Sequence, residues 1–217
     1  GKENIIGKIK RFASDYRDYF DRQVQNASEP KKLISPDPKH AWIDGVGVVG
    51  FGTSSASASA AADLAEQNLR VRSVGEDAGG FYPLGEQDMF DCEYWSLEQA
   101  KLGKGAALPL QGKIALLTGG AGAIGLATAQ ALAAKGASIM LVDQSRDNLE
   151  NAIGILGHWH GFYETNVTKD GSAKLAMNAC IEKFGGIDIL ISNAGSAQDG
   201  GLLDLQDESI RAAFELN

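Results

Sequence analysis

Residues 113–125 read KIALLTGGAGAIG, and this stretch decides the fold. Lys113–Thr118 is a short continuous apolar run, which is typical of a strand buried on both faces of a parallel sheet. The glycines after it allow a tight turn and a close approach to a pyrophosphate, and the helix that begins among them offers free N–H groups to phosphate oxygens. Gly120, Gly122 and Gly125 spell GxGxxG, although a glycine turn that only packs a helix on a sheet has the same spacing.

The segments after this loop alternate regularly between strand and helix patterns. Three further strands are predicted, at Ser138–Val142, Phe162–Asn166 and Ile187–Ser192. The predicted helices are Ala123–Lys135, Asp147–Leu156, Asp170–Phe184 and one beginning near Asp207. This order predicts an α/β fold with a partial, Rossmann-like, doubly wound parallel sheet. In such a sheet ligands bind beyond the carboxyl ends of the strands, where the strand order reverses.

An acidic residue closes the second of these strands. Asp143 lies eighteen residues after Gly125, where a carboxylate can accept hydrogen bonds from both hydroxyls of an adenosine ribose. Two like charges about 4 Å apart repel by roughly 4 kcal/mol at an effective dielectric constant of 20, so a 2′-phosphate is disfavoured. We therefore expect NAD as cofactor, although Arg146 could soften the repulsion. The alternative is an ordinary exposed Asp that caps the following helix.

A second literal GxGxxG occurs at Gly45–Gly50. No apolar strand ending in an acid comes after it at the distance that a nucleotide fold needs. We interpret these glycines as a tight hairpin. Around them we expect a smaller α+β region with a helix at 8–25, a loop at 26–38 and a helix from about 54 to 75. A short helix within 85–104 is expected to dock through Phe90, Tyr94, Trp95 and Leu97, and 103–110 is a linker by composition.

Composition limits the partners and the compartment. The formal net charge of −8 would repel nucleic acid and anionic lipid surfaces, so a small-molecule substrate is the expected partner. No apolar run has the length of a membrane span. Cys92 and Cys180 are far apart, which makes a structural disulfide improbable and fits a reducing cytoplasm. We interpret the chain as a fragment of a longer protein.

The second half resembles the short-chain dehydrogenase/reductase family. The resemblance covers residues 109–217, and its motifs are TGGAGAIG at 118–125, the acid Asp143, NVT at 166–168, SNAG at 192–195 and FELN ending at Asn217. Three positions depart from the family pattern: Ala123 stands where Gly is usual, Asn166 where Asp is usual, and Ser192 where Asn is usual. None of these changes is expected to abolish cofactor binding.

The resemblance implies a set of site residues. Cofactor contacts are implied for the glycine loop, for the acid and its neighbour, for the adenine pocket and for the nicotinamide side. These residues are, in turn, Gly119, Ala121, Gly122, Ala123, Ile124 and Gly125; Asp143 and Gln144; Asn166 and Val167; and Asn193, Ala194 and Gly195. The helix residue Asn217 matches the Asn of the family's Asn-Ser-Tyr-Lys tetrad, which holds a water in the proton relay. The family also often forms homo-oligomers.

The first half resembles, more loosely, the joining segment of bifunctional sugar-phosphate aldolase/short-chain alcohol dehydrogenases of the rhamnulose-1-phosphate type. The matching pieces are VGVVGFG at 46–52, the helix after it, and FDCEYWSLEQAKLGK at 90–104. Residues 1–108 are then the tail of an aldolase/adducin-like region with its connector, and 109–217 are the NAD-binding half of the dehydrogenase.

Two kinds of catalytic group are missing from the sequence. Hydride transfer in this family needs a Tyr with a Lys four residues later, and none of the five tyrosines has one. A zinc aldolase site needs about three histidines, whereas residues 1–108 contain only His40. His158 and His160 could share one face of a strand, but no third ligand is spaced suitably, so no metal site is predicted.

These observations leave three interpretations open. The parent protein is an NAD-dependent short-chain oxidoreductase that acts on a small sugar-derived alcohol or aldehyde, and this chain binds cofactor without turnover. Alternatively, the Rossmann part is a non-catalytic NAD-binding scaffold. In the third interpretation the parent is chiefly a class II sugar-phosphate aldolase.

Overall fold

The computed structural model describes residues 4–102, 107–197, 200–201 and 205–217. These residues divide into two compact units, one formed by residues 4–52 and 57–102 and the other by residues 53–56 and 107–217. Most of the predicted linker, residues 103–106, lies outside the described part. No helix within the described residues is both long and apolar enough to cross a membrane.

The first unit combines helices with one hairpin. Its elements are α1 (Ile5–Gln23) with a 3-10 turn at Val24–Asn26, β1 (His40–Ile43), β2 (Gly47–Gly50), α2 (Ser55–Asp77), α3 (Glu86–Glu93) and α4 (Ser96–Leu102). Strands β1 and β2 pair antiparallel, and the turn between them uses Gly45 at φ +74° and Gly47 at φ +114°. The second glycine motif is therefore a hairpin, as predicted, because glycine adopts positive φ without steric cost.

An aromatic cluster forms the core of the first unit. Phe90 and Tyr94 are each 1% exposed and pack against Phe20 of α1. The expectation that this segment docks through Phe90 and Tyr94 is confirmed, but it is wrong for Trp95 and Leu97, which are 54% and 60% exposed. The reason is a break at Tyr94, whose φ of −99° and ψ of 18° end α3, so the residues of α4 no longer follow its face.

The second unit is the predicted parallel sheet. Its elements are β3 (Ile114–Thr118), α5 (Ala123–Ala133), β4 (Ser138–Asp143), α6 (Arg146–Leu156), β5 (Gly161–Glu164), α7 (Ser172–Phe184), β6 (Ile189–Ile191) and α8 (Asp207–Leu216). The strand order is β5-β4-β3-β6, and all neighbours are parallel. Successive strands therefore lie side by side from β3 through β4 to β5, and β6 then pairs with the other edge of β3. The strand order reverses between β3 and β6, which is a topological switch point.

Alternating side chains bury both faces of this sheet, as the apolar runs predict. Leu117 and Leu141 point toward α5 and α6, whereas Leu116 and Val142 point toward α7. Cys180 of α7 is fully buried on the second face, and this burial raises the pKa of its thiol to about 11. The sheet core therefore fixes the strand register on which the site depends.

Several strand ends differ from the predicted bounds by one or two residues. β5 stops at Glu164 instead of Asn166, where the Asn166 carboxamide oxygen accepts the N–H of Thr168 at 3.0 Å and forms a local turn. Before β6, the Asp188 carboxylate accepts the N–H of Ile114 at 2.9 Å. This hydrogen bond, together with the Lys113 ammonium, lowers the pKa of Asp188.

His160 joins the start of β5 to β4. Its Nδ1 accepts the backbone N–H of Ile139 at 3.1 Å, so the imidazole is neutral in the fold. Burial, with a smaller effect of the Lys183 charge, lowers the pKa of His160 below the usual 6.5. A lowered histidine pKa means that the unfolded chain binds the proton more readily than the folded chain, so stability falls as the pH drops below about 6.5.

We predict that His160→Asn removes this pH dependence, because the Asn oxygen can accept the Ile139 N–H but cannot titrate. Urea unfolding of both chains at about pH 7.5 and pH 5.5 measures the effect. The wild-type chain should lose more stability than the variant between the two pH values. An equal loss in both chains would contradict the assignment.

Candidate cofactor site

The glycine loop after β3 is packed too tightly for side chains at three positions. A Cβ on Gly119, which has φ +61°, would lie 2.8 Å from the Ala194 Cα, and one on Gly120 would lie 2.8 Å from the Leu141 Cδ2. A Cβ on Gly125 would overlap the carbonyl oxygen of Gly119. Only glycine at these positions lets the first turn of α5 approach the end of β3 this closely.

The amino end of α5 is open. Gly122 is its N-cap residue and provides no side-chain hydrogen bond. The Gly120 N–H donates to the Val142 carbonyl at 3.2 Å, and the Gly122 N–H donates to the Gly119 carbonyl at 3.2 Å. The N–H groups of the first helical turn have no intrahelical acceptor by geometry, and Ile124 of that turn is 74% exposed. Gly122 and Ala123 are exposed as well, whereas Gly125 is buried, so an anion can approach the start of this turn without displacing a cap.

The carboxylate of Asp143 faces this loop. Its Oδ2 accepts the Ala121 N–H at 3.2 Å, and its Oδ1 accepts the Gln144 N–H at 2.8 Å and the Ser145 N–H at 3.3 Å. The side chain that caps α6 belongs to Ser145, which accepts the Asn148 N–H at 3.4 Å. Asp143 is thus not the N-cap of the following helix, and it stands half-buried between the two strand-end loops.

The loop after β6 is fastened to β3 by Asn193. Its side-chain Nδ2 donates to the carbonyl oxygens of Thr118 and Gly119, each at 3.1 Å. The backbone N–H groups of Asn193 and Ala194 both donate to the Thr118 hydroxyl, at 3.0 and 3.1 Å. The Asn193 amide therefore braces the glycine loop, and its neighbours Ala194 and Gly195 are the ones that line the cavity.

Asn217 braces the same loop from α8. Its Nδ2 donates to the Ser196 carbonyl at 2.8 Å, and its Oδ1 accepts the Ser196 N–H at 3.2 Å. A Cβ on Gly195 would lie 2.7 Å from the Asn217 Oδ1, so this pairing also needs a glycine. The N–H and the carbonyl of Ser196 are thus both bonded to the side-chain amide of Asn217.

A cavity of about 390 Å³ opens at the carboxyl ends of these strands. Seven of the predicted site residues line it: Gly119, Asp143, Gln144, Asn166, Val167, Ala194 and Gly195. The lining does not include Ala121, Gly122, Ala123, Ile124, Gly125, Asn193 or Asn217. Sequence reasoning missed the other seven lining residues: Val142, Thr165, Thr168, Ser196, Ala212, Glu215 and Leu216. Thr168 belongs to the NVT motif, and Thr165 and Ser196 adjoin the NVT and SNAG motifs, which is the signal that could have identified these three.

The first unit contains a larger groove of about 1010 Å³. Tyr16 and Tyr19 line it together with carboxylates such as Asp15 and Asp18. Burial raises the pKa of Tyr19 to about 12, and the Tyr16 hydroxyl bonds the Tyr94 hydroxyl at 2.9 Å. No group of three His, Cys, Asp or Glu residues in the described part of the chain is placed to hold a metal ion. The glycine-loop cavity is the stronger candidate site, because seven predicted site residues line it.

Comparisons with known proteins also divide the chain into two parts, which correspond to the two compact units. Residues 113–217 match the family model "short chain dehydrogenase", and residues 1–102 match "Aldolase class II, second domain". The uncharacterized oxidoreductase YuxG of Bacillus subtilis is 31% identical over 202 residues, which is 89% of this chain and 28% of YuxG. Short-chain dehydrogenase reductase 4 of Arabidopsis thaliana is 34% identical over 63% of this chain and 48% of its own length.

A solved structure is similar to about half of this chain. It is a 3-ketoacyl-(acyl-carrier-protein) reductase from Brucella melitensis complexed with NADH, 25% identical, with a TM-score of 0.47 over 49% of this chain and 45% of the reductase. This chain spans less than half the length of each of these relatives.

We predict opposite effects for two helical Gly→Ala substitutions. Gly125→Ala should destabilise the chain by about 1–3 kcal/mol, because its Cβ overlaps the loop backbone. Gly154→Ala in α6 is the matched control: its Cβ meets no atom within 4 Å, so the gain in helix propensity should stabilise the chain by about 0.5–1 kcal/mol. Urea unfolding measures both changes, and equal effects would contradict the loop packing.

Proposed function

We propose that residues 113–217, which match the short-chain dehydrogenase model, bind NAD(H) at the carboxyl ends of the strands, in the cavity there and along the adjoining amino end of α5. One observation carries the proposal. An uncapped helix end and a carboxylate turned toward the same glycine loop lie side by side at the carboxyl ends of the paired parallel strands β3 and β4. The first supplies N–H groups for a pyrophosphate, and the second supplies acceptors for a ribose diol.

The individual residues have different roles in this proposal. The first turn of α5, from Gly122 to Gly125, faces the pyrophosphate, and Asp143 with Gln144 faces the adenosine ribose. Asn166 and Val167 border the adenine, and Ala194 and Gly195 border the nicotinamide. Asn193 and Asn217 act as positioning residues, because the amide of Asn193 bonds the backbone of Thr118 and Gly119, and the amide of Asn217 bonds the backbone of Ser196.

Bound NAD(H) supplies the hydride acceptor or donor. This chain's own residues bind and orient it but lack a Tyr with a Lys four positions later, so the chain alone should bind cofactor without turnover. For the whole protein we propose an NAD-dependent oxidoreductase that acts on a small sugar-derived alcohol or aldehyde and forms a homo-oligomer. The aldolase class II match of residues 1–102 supports a sugar-derived substrate.

The same match favours a second candidate, a parent protein that is chiefly a class II sugar-phosphate aldolase. Separate assays of the full-length protein for NADH production and for aldol cleavage distinguish the two. Aldol cleavage without NADH production would favour the second candidate. NAD binding without either activity would indicate a cofactor-dependent scaffold.

Calorimetric titration of the chain with NAD+ tests the binding proposal directly. We expect one site per chain, and we expect Gly125→Ala to weaken binding while Gly154→Ala leaves it unchanged. A chain that folds, by circular dichroism, but binds no NAD+ would refute the proposal.

We predict that Asp143→Asn relaxes the preference for NAD+ over NADP+. Loss of the carboxylate charge removes repulsion of the 2′-phosphate and weakens the ribose contact, so the ratio of the two dissociation constants should shift by about tenfold or more toward NADP+. Asp147→Asn is the control, because Asp147 is an exposed acid of α6 outside the cavity lining. An unchanged ratio in Asp143→Asn would contradict the ribose assignment.

A further inference from the structure

The guanidinium of Arg146 is engaged on three sides. It lies in the first turn of α6, three residues after Asp143. Its Nε donates to the Glu150 Oε1 at 2.8 Å, and its Nη1 lies 3.6 Å from the Glu164 Oε2. Its Cζ lies over the Phe162 ring, 5.5 Å from the centroid. This cation next to the proposed ribose site is therefore already held by two acids and an aromatic face.

The fold brings these groups together from two directions. Glu150 follows Arg146 by one helical turn, a spacing at which side chains meet on one side of a helix. Glu164 is the Cα partner of Asp143 across β4 and β5. Phe162 lies two residues before Glu164 and packs in the core cluster beneath α6, so alternation along β5 places Glu164 on that same side of the sheet.

The local charge balance follows from this arrangement. Arg146 pairs with two carboxylates, those of Glu150 and Glu164, and Asp143 adds a third acid beside Glu164 in the register of β4 and β5. The 2′-phosphate of NADP would add about two further negative charges near neutral pH. The Arg146 guanidinium would then be shared between that phosphate and the two carboxylates with which it already pairs.

We propose that Glu150 and Glu164 are positioning residues for cofactor choice: they hold Arg146 away from the 2′-phosphate position and so strengthen the preference for NAD(H) beyond what Asp143 alone provides. This inference rests on the proposed NAD(H) site. Each of the two ion pairs is exposed, so each contributes a modest factor, about fivefold at most.

The test compares NAD+ and NADP+ dissociation constants in four chains at low ionic strength. They are the parent chain, Glu150→Gln/Glu164→Gln, the same pair with Arg146→Gln, and the control Glu76→Gln/Glu182→Gln. The control removes two exposed acids, one in α2 of the first unit and one in α7 on the other face of the sheet. It therefore matches the change in net charge without touching Arg146.

We expect the double variant to bind NADP+ about tenfold more tightly, as two exposed pairs are lost together, with NAD+ affinity unchanged. The control should match the parent, and adding Arg146→Gln should abolish the gain. The gain should also shrink in high salt, since screening weakens charge interactions at this distance.

Different outcomes of this test distinguish a failure of the inference about Glu150 and Glu164 from a failure of the proposed NAD(H) site. If the parent chain binds NAD+ but the double variant binds NADP+ no better, the inference is overturned and the cofactor site stands. A gain in NADP+ affinity that persists after Arg146→Gln also overturns the inference. The cause would then be the loss of repulsion between the two carboxylates and the 2′-phosphate, and not the release of Arg146. If the parent chain binds no NAD+, both the site and the inference are overturned.

Discussion

The contact between Gly125 and the carbonyl of Gly119 is the constraint on which the second unit depends. It lets the first turn of α5 lie directly over the end of β3, and any side chain at that point would separate them. Because the helix approaches so closely, its N–H groups face the space above the sheet. Asp143 can then reach the Ala121 N–H from the neighbouring strand. Loop, helix and acid thus form one arrangement.

The side-chain amides of Asn193 and Asn217 hold the loop after β6, which lies on the other side of the glycine loop from Asp143. Asn193 bonds the carbonyl groups of Thr118 and Gly119, and Asn217 bonds both polar groups of the Ser196 backbone. Asn193 therefore ties the loop after β6 to the glycine loop, and Asn217 ties the same loop to the end of α8. Amide side chains suit this task because each carries a donor and an acceptor and can pair with backbone groups at any pH. The cavity is shaped before a ligand arrives.

Much of the fold could be predicted from the sequence because its signals are local. The runs 114–117 and 139–142 are apolar throughout. The glycine loop could be told apart from Gly45–Gly50 because only the loop precedes a second apolar strand that ends in an acid. Other features depend on geometry that spacing does not contain. The exposure of Trp95 results from a helix break at Tyr94, and the bracing roles of Asn193 and Asn217 result from their contacts. The pairing of Arg146 with Glu164 needs the register of β4 on β5.

Alkylation of the buried Cys180 thiol can show when α7 separates from the sheet. A thiol at 0% exposure with a pKa near 11 is shielded both from contact with reagents and from ionisation, so it can be alkylated only when α7 lifts from the sheet. The chain's other cysteine, Cys92, is exposed in the first unit and provides an internal standard for reagent activity. The ratio of the two labelling rates therefore measures how often this half of the molecule opens, without an introduced cysteine.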